Sequence, residues 1–243
     1  SMATANLISH KDITNNYGAE GATIDVQLAD GSVITKSATF ARKRGTALSS
    51  VSVETDKDGL LIQRNVTTTS LFDVRGNAID QSTDKFVADS LGAELLQQRT
   101  LTHNVNIDAR GDAAAQEITT MTTGASGLEA TLEVSNFQVM TNRTFDGRHN
   151  VLNQMSYSYD VAGGDLMQVS EIRSMGFAPS GVAREQNIVT YADILKTQII
   201  ESKHVVNSII LSNGNVRLSE IDIYRTAAIS GDGGDITFQD LQE

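Results

Sequence analysis

The sequence predicts an all-β fold: an antiparallel sheet of repeated hairpins, elongated or curled, with few or no helices. Three observations support this prediction. β-branched and aromatic residues alternate with polar ones along much of the chain, which is the period-two pattern of strands. The chain has a single proline, Pro179, so few strands are forced to break. The motif Asp-x-x-Gly occurs five times, beginning at Asp56, Asp73, Asp89, Asp108 and Asp160.

The Asp-x-x-Gly motif has the chemistry of a tight turn. The aspartate side chain can accept hydrogen bonds from backbone N–H groups two residues further on. Glycine at the fourth position adopts a positive φ without the steric penalty of a Cβ atom. We therefore predict that Gly76 and Gly111 have positive φ, and that Asp73 and Asp108 accept backbone hydrogen bonds inside their turns.

A glutamine follows most of these turns at a nearly constant distance. The six glutamines in this frame are Gln63, Gln81, Gln97, Gln116, Gln154 and Gln168, and Gln186 follows Gly181 at the same distance. If they hold the same place in successive hairpins, they form one row. Their amides would then bond to each other or to the next turn and help to fix the register of the strands.

Along the chain, residues 1–20 are polar, and we interpret them as a leader or an edge segment. Residues 21–243 are interpreted as a single β-repeat domain. Alternating apolar residues around Asp30-Gly31 predict a hairpin over residues 22–40 with a two-residue turn. The basic residues at 42–44 are interpreted as part of a solvated turn.

The segment 193–211 has two readings. Its apolar residues fall near helical spacing, and Asp193 could cap a helix. Its high content of Ile and Val favours strands, and Asp193 with Gln198 continues the frame of the hairpin turns. We therefore predict strands here, and a last short strand at residues 236–239.

Three copies of the turn carry an aromatic residue before the aspartate: Phe72-Asp73-Val74-Arg75-Gly76, Phe145-Asp146-Gly147-Arg148-His149 and Tyr159-Asp160-Val161-Ala162-Gly163. Over about residues 50–190 the chain therefore resembles the YD-repeat (RHS-type) β-repeat proteins. It departs from their pattern where Thr55, Ala88 and Ile107 replace the aromatic residue and where His149 replaces the glycine. The resemblance implies a long antiparallel sheet within a very large secreted or cell-surface protein, and hence an extracellular or surface location.

Composition excludes several classes of partner. The net charge of −11 would repel the phosphates of nucleic acid, so we expect no nucleic-acid binding. No stretch has the length and apolar character of a membrane span. The chain has no cysteine, which excludes disulfides and thiol chemistry. The expected partners are other protein segments or cell-surface ligands, and the oligomeric state is left open.

The sequence offers no catalytic or cofactor-binding residues, and we predict that the protein is not an enzyme. Its histidines are far apart in sequence and have no spacing typical of metal ligands; they are His10, His103, His149 and His204. No serine lies in a Gly-x-Ser-x-Gly motif, and no pairing of a histidine with an aspartate is suggested. Loops typical of nucleotide binding are absent from the sequence as well.

Calcium is the one cofactor for which the sequence offers ligands. Glu54, Asp56 and Asp58 cluster before Gly59, and Asp232 and Asp235 flank a pair of glycines. Carboxylate oxygens on tight turns are the ligands that Ca²⁺ takes, although neither segment completes an EF-hand loop. The alternative is that these aspartates only shape their turns.

The functional hypothesis is a non-catalytic structural or adhesive module of a larger bacterial surface or secreted protein, built from Asp-x-x-Gly hairpins. The alternative hypothesis is a Ca²⁺- or ligand-binding adhesin domain with a compact β-sandwich fold.

Overall fold

The structure is a computed structural model that describes residues 9–124, 126–212, 214–230 and 234–241. Its strands are β1 Ser9–Asn16, β2 Thr23–Gln27, β3 Val33–Ser37, β4 Ser49–Asp56, β5 Leu61–Phe72, β6 Ala78–Ala88, β7 Glu94–Ile107, β8 Ala113–Thr122, β9 Glu133–Phe145, β10 Val151–Tyr159, β11 Leu166–Met175, β12 Glu185–Tyr191, β13 Ile199–Ile210, β14 Val216–Ile229 and β15 Ile236–Leu241. In the described part, helical structure is limited to α1, Thr39–Arg44, and a 3₁₀ turn, Glu129–Thr131. The all-β prediction is confirmed.

The strands follow each other as hairpins. From β4 onward each strand is the hydrogen-bonded neighbour of the next, and β1 pairs with β4. The hairpin β2–β3 lies off this path, and β2 makes a short parallel contact with the end of β5. The other described pairs with a given register are antiparallel. Because most connections are short turns, most strands of the sheet pair with the strands next to them in sequence.

The backbone divides into two compact units. Unit 1 comprises Ser1–Gly111 and Ile118–Asn136, and unit 2 comprises Asp112–Glu117 and Phe137–Glu243. The single domain over residues 21–243 stays a prediction. Within the segment 1–20, residues 9–16 form β1, which in the described part of the chain pairs only with β4.

Unit 1 carries a small core at one end of its strands. Here β2, β3 and α1 pack on the end of β5 and bury Ile24, Val26, Ala38, Ala41 and Phe72. These five side chains are apolar and range from 0% to 6% exposed, so they stabilise this end of the sheet by the hydrophobic effect. We call β2, β3 and α1 together the cap of unit 1.

Residues 42–44 are exposed, in agreement with the prediction that they are solvated, but they belong to a helix and not to a loop. They form the last turn of α1, which ends at Gly45 with a φ of 89°. The guanidinium of Arg44 donates to the side-chain oxygen of Asn77 at 2.7 Å and to the carbonyl of Ala109 at 3.2 Å. Arg44 therefore ties the helix to the turns after β5 and β7.

Away from the cap, the sheet of unit 1 is thin. Every side chain of β4 is half-buried, on both faces of the strand, and β6 shows nearly the same pattern. Polar side chains of neighbouring strands bond to each other on the faces of this sheet. The hydroxyls of Thr67 and Thr83 are 2.9 Å apart, and Arg99 binds the carboxylate of Asp84 through two nitrogens, at 2.6 and 2.7 Å. Such cross-strand pairs stabilise a sheet by about 0.2–1 kcal/mol each.

Unit 2 has its own core, on one face of its strands. Met155, Val169, Val189, Tyr191 and Ile236 are buried together. Because Ile236 belongs to the final strand, β15, the last hairpin is folded back against the face formed by β10 to β12. The strand prediction for residues 193–211 is confirmed for residues 199–210, which form β13.

The turn prediction is confirmed in detail. Gly76 and Gly111 have φ values of 86° and 100°. Oδ1 of Asp73 accepts the N–H groups of the residues two and four positions further on, at 2.7 and 2.9 Å, and Asp108 accepts two N–H groups at 2.8 and 2.9 Å. Asp56, Asp89 and Asp146 repeat the bonds of Asp73 to the residues two and four positions on.

Two turns differ from their predicted form. The loop after β2 has three residues and not two, because Leu28 bonds to Ser32 and the glycine at position 31 takes a φ of 83°. The loop after Asp160 is one residue longer than the others, since Asp160 N–H bonds to the carbonyl of Asp165. A pattern of four residues does not specify where the flanking strands begin to pair, and this decides the loop length.

The prediction that the glutamines form one row is wrong. Successive turns lie at opposite ends of antiparallel strands, so glutamines at a constant distance from their turns alternate between the two ends. The amides of three of these glutamines bond instead to the opposite residue of the preceding strand. Gln63 donates to Glu54 at 3.1 Å, Gln81 to the hydroxyl of Thr69 at 3.2 Å, and Gln186 to that of Ser174 at 3.1 Å.

Candidate functional site

The first predicted calcium site lies in the turn between β4 and β5. Oδ1 of Asp56 accepts the N–H groups of Asp58 and Leu60 at 2.8 and 2.9 Å. Asp58 is exposed, and its Oδ2 is 2.5 Å from the ammonium of Lys57. One of the four carboxylate oxygens is therefore committed to the turn and another to a lysine.

The second predicted calcium site lies before β15. Asp232 is outside the described residues. Asp235 donates its N–H to the hydroxyl of Ser230 at 3.1 Å and accepts the N–H of Ser230 at its carbonyl. Across the described residues, no group of three or more His, Cys, Asp or Glu side chains could hold a metal ion. Calcium binding at either turn stays a prediction.

Each histidine is paired with a carboxylate, which the sequence had not suggested. The distances are 3.1 Å for His10–Asp12, 2.6 Å for His103–Asp80, 2.7 Å for His149–Asp112 and 2.9 Å for His204–Glu185. Three of these pairs join residues far apart in sequence, so only strand register could have indicated them. In the described part of the chain, no serine or threonine hydroxyl bonds to any of the four rings, so these pairs lack a nucleophile.

The most deeply buried charge is in unit 2. Glu171, on β11, is 0% exposed. Its carboxylate contacts Arg173 at 2.6 Å and the ammonium of Lys196 at 3.1 Å. The guanidinium of Arg173 also donates to the carbonyl of Gly234 at 2.9 Å. Burial raises the pKa of the Tyr191 hydroxyl, and the negative charge of Glu171 raises it further.

This cluster is a connection between strands. Two cations offset the cost of burying the carboxylate, which is several kcal/mol for an unpaired ion. Through Gly234 the same cluster holds the backbone just before β15 against β11. The pair of Glu171 and Arg173 could have been predicted from the sequence, because strand alternation places both on the face that also carries the buried Val169.

Open clefts occur in both units, and two of them are described by their lining. A cleft of about 660 Å³ lies on the face of unit 2 opposite its core, lined by isoleucines and by Glu201 and Lys203. A second cleft, of about 350 Å³, lies in unit 1 between the tip of the β2–β3 hairpin, the turn after β5 and the end of β7. We call this second cleft the cap cleft; its lining includes Leu28, Val74, Arg75, Ile79 and Ile107.

Comparison of the chain with protein-family models, with curated proteins and with solved structures gave no match. The structure has, among its described residues, no helix long and apolar enough to cross a membrane.

Proposed function

We propose that the chain is a non-catalytic structural module of a larger bacterial surface or secreted protein. The observation that carries this proposal is the recurrence of one turn. After β4, β5 and β6 the same three-residue loop ends in a glycine of positive φ, and an aspartate Oδ1 holds its backbone. When the same turn connects each strand to the next, a sheet can be extended by further hairpins without any other structural element.

The thin sheet of unit 1 supports the same proposal. Its central strands are stabilised by neighbours on either side and not by a shared core, so each hairpin depends mainly on the adjacent ones. This is the nearest-neighbour organisation of repeat proteins. The partners we propose are other protein segments or cell-surface ligands, in an extracellular setting, as the resemblance to YD-repeat proteins implies.

Removal of one complete hairpin tests the modular role. Deleting residues 73–107 joins Phe72 directly to the turn at Asp108–Asp112, which repeats the turn after β5, and it preserves the direction of every later strand. We expect a folded protein with a β circular dichroism spectrum and one cooperative unfolding transition in urea. Failure of this variant to fold would contradict the modular role.

The matched control removes one strand only. Deleting residues 73–88 joins Phe72 to the turn at Asp89, which reverses the direction of every later strand. The turn that normally contacts Arg44 through Ala109 then lies at the wrong end of the sheet. We expect this shorter deletion to destabilise the protein more, because only the removal of two strands together keeps the direction of the strands that follow.

The proposed location has a separate test. An antibody raised against the purified chain is expected to label intact cells of the source bacterium or their culture medium. Labelling that requires permeabilised cells would contradict the extracellular location without affecting the modular role.

A ligand- or calcium-binding adhesin domain is the second candidate. The observation that favours it is the core of unit 2, where β15 packs back on β10 to β12 as in a compact domain. A rise in the melting temperature on adding millimolar calcium, reversed by a chelator, would favour this candidate over the first.

A further inference from the structure

The first half of β14 is an open edge of the sheet in unit 2. Residues 216–223 pair with β13 on one side, whereas β15 pairs only with the part of β14 that begins at Tyr224. Among the described residues, no strand pairs with the other side of residues 216–223. All eight residues are exposed, so their outward N–H and C=O groups are accessible to an added strand. We call residues 216–223 the open edge.

The open edge has the composition of a covered strand. It carries four large apolar side chains that are between 38% and 56% exposed: Val216, Leu218, Ile221 and Ile223. The edge strand β1 is different, since its single large apolar residue is Ile13 and it contains a lysine. Natural sheets protect their free edges with lysine or proline, and the open edge has neither. An apolar edge without this protection indicates a surface that binds a partner.

One face of the open edge is acidic. Strand alternation puts Glu220 and Asp222 on the same face, opposite Val206 and His204 of β13. The ring of His204 is 2.9 Å from a carboxylate oxygen of Glu185 on β12. Neither Glu220 nor Asp222 forms an ion pair within the described residues, and both are exposed. Two carboxylates, about 7 Å apart along the strand, therefore face solvent without a lysine or arginine beside them.

The other face of the open edge is mainly aliphatic. It carries Ile221 and Ile223, with Arg217 nearer the hairpin turn. Ile223 lies opposite Lys203, whose ammonium is 2.7 Å from Glu201, so that charge is compensated within β13. Ile223 also lines the cleft of about 660 Å³, together with isoleucines of β11, β12 and β13. The apolar surface of this cleft therefore continues to the open edge.

We propose that the open edge binds an extended peptide segment of another protein as an added strand, and that this segment alternates basic and apolar residues. Its lysines or arginines meet the carboxylates of Glu220 and Asp222, and its apolar side chains meet Ile221 and Ile223. Residues opposite each other on neighbouring strands share a face, so the alternation of β14 sets that of the partner.

The added strand continues an existing line of the sheet. It lies beyond the pair formed by Tyr224 and Leu241, in line with β15. The main-chain hydrogen bonds supply affinity, and the two faces supply specificity. The contact goes beyond the structural role proposed above, because it requires neither a larger protein nor an extracellular location.

A second copy of the chain is the less suitable occupant. Antiparallel pairing of two open edges around a twofold axis keeps the acidic faces of both copies on the same side of the sheet. When most of the edge is paired, Glu220 of one copy lies opposite or diagonal to Glu220 of the other. Like charges in these positions destabilise a strand pair.

Fluorescence anisotropy with labelled peptides tests the proposal. The probe is a peptide of about eight residues that alternates valine and lysine, with blocked ends, the length of the open edge. Its control has the same composition, with all valines before all lysines, so it has the same charge but no apolar face. We expect the wild-type chain to bind the alternating peptide about tenfold or more tightly than the control, and salt to weaken this binding.

Charge reversal tests the role of the two carboxylates. Glu220→Lys with Asp222→Lys should weaken binding of the valine–lysine peptide about tenfold or more, and it should create binding of an alternating valine–glutamate peptide. The matched control, Asp12→Lys with Glu20→Lys, makes the same change of net charge at exposed residues of unit 1. It should change the affinity for either peptide by less than about twofold, since distant charges are screened. Circular dichroism establishes that each variant is folded.

Hydrogen exchange locates the bound peptide. In the presence of the valine–lysine peptide, amides within residues 216–223 should exchange more slowly, because those that point outward become hydrogen-bonded. The amides of β1 should exchange at the same rate with and without the peptide. Protection confined to the open edge separates strand addition from a general attraction between the acidic chain and a basic peptide.

Four results would overturn the proposal. The first is failure of the valine–lysine peptide to bind more tightly than its control of the same composition. The second is a charge-reversed variant that binds both alternating peptides as the wild type does. The third is protection of amides outside the open edge only. The fourth is slow exchange of residues 216–223 that appears without peptide as the protein concentration is raised, which would assign the edge to a second copy.

Discussion

Two glycines in identical turns should respond differently to the same substitution. Gly76, after β5, and Gly92, after β6, both close a three-residue loop, with φ values of 86° and 81°. A Cβ at position 92 would meet no atom within 4 Å. A Cβ at position 76 would lie 3.1 Å from the carbonyl oxygen of Phe40 and 3.2 Å from Cα of Ala41, both in the backbone of α1.

The expected costs follow from these contacts. Gly92→Ala should reduce the free energy of unfolding by about 1 kcal/mol, the cost of a side chain in the left-handed region. Gly76→Ala carries the same cost and also pushes against the helix backbone, which cannot move away as a flexible side chain can. Overpacking of this kind costs about 1–3 kcal/mol, so the total for Gly76→Ala should be about 2–4 kcal/mol.

Urea unfolding of the two variants, followed by circular dichroism, measures the difference. With equal slopes, the midpoint of Gly76→Ala should be lower than that of Gly92→Ala by about 1 M. Equal midpoints would show that α1 does not pack on the turn after β5, and the reasoning about the cap would be refuted.

Three further predictions test the polar contacts. Arg173→Met leaves a buried carboxylate short of a partner and should cost about 3 kcal/mol in urea unfolding, whereas Lys203→Met, which breaks a more exposed ion pair, should cost about 1 kcal/mol or less. Arg44→Ala removes the hydrogen bonds between the cap and two turns and should lower the free energy of unfolding by about 1–3 kcal/mol. Lys43→Ala, at the exposed neighbouring residue, should have nearly no effect. Equal losses in the two variants would contradict the role of Arg44. The side-chain amide and the backbone N–H of the residue four positions on lower the pKa of Asp146, so its contribution to stability is present above the unfolded pKa of about 3.9 and is lost as the pH falls through the folded value. The free energy of unfolding of Asp146→Asn should therefore depend less on pH, below the unfolded pKa of an aspartate, than that of the wild type.

The hairpin turns could be predicted from the sequence because their chemistry is local. Asp73 bonds to residues two and four positions away, and Gly76 needs only its own φ. Both requirements can be recognised in five consecutive residues of the sequence. The same reasoning identified the strands, since alternation of side chains is also a property of near neighbours.

The helix α1 was missed because its stability is not local. It has six residues, its first turn has no acidic residue, and no side chain caps its start. Residues such as Thr39 and Phe40 do not favour a helix. Burial of Ala41 in the cap and the bonds of Arg44 to distant turns hold the helix in place, and neither is visible in a short window of sequence.

The cluster around Glu171 was missed for a similar reason. Gly234 approaches β11 because β15 folds back, and Lys196 reaches Glu171 from the connection between β12 and β13; the sequence pattern specifies neither approach. The predicted glutamine row is wrong because residues at equal distances from consecutive turns do not lie at the same end of an antiparallel sheet. Antiparallel strands reverse that end at every turn.

From β4 onward consecutive strands pair with each other in one register, and engineered disulfides test this pairing most directly. The chain has no cysteine, so each introduced pair reports alone. Thr67 and Thr83 lie opposite each other on β5 and β6, with their hydroxyls 2.9 Å apart. Asp84, one residue along the same strand, points to the other face of the sheet.

We expect the double substitution Thr67→Cys with Thr83→Cys to form an intramolecular disulfide under mild oxidation, measured by loss of free thiols and by mass. The control, Thr67→Cys with Asp84→Cys, should stay reduced, because side chains on opposite faces of a strand pair cannot meet disulfide geometry. Rapid bridging in the control and none in the first pair would mean a register shifted by one residue, and that result would contradict the account.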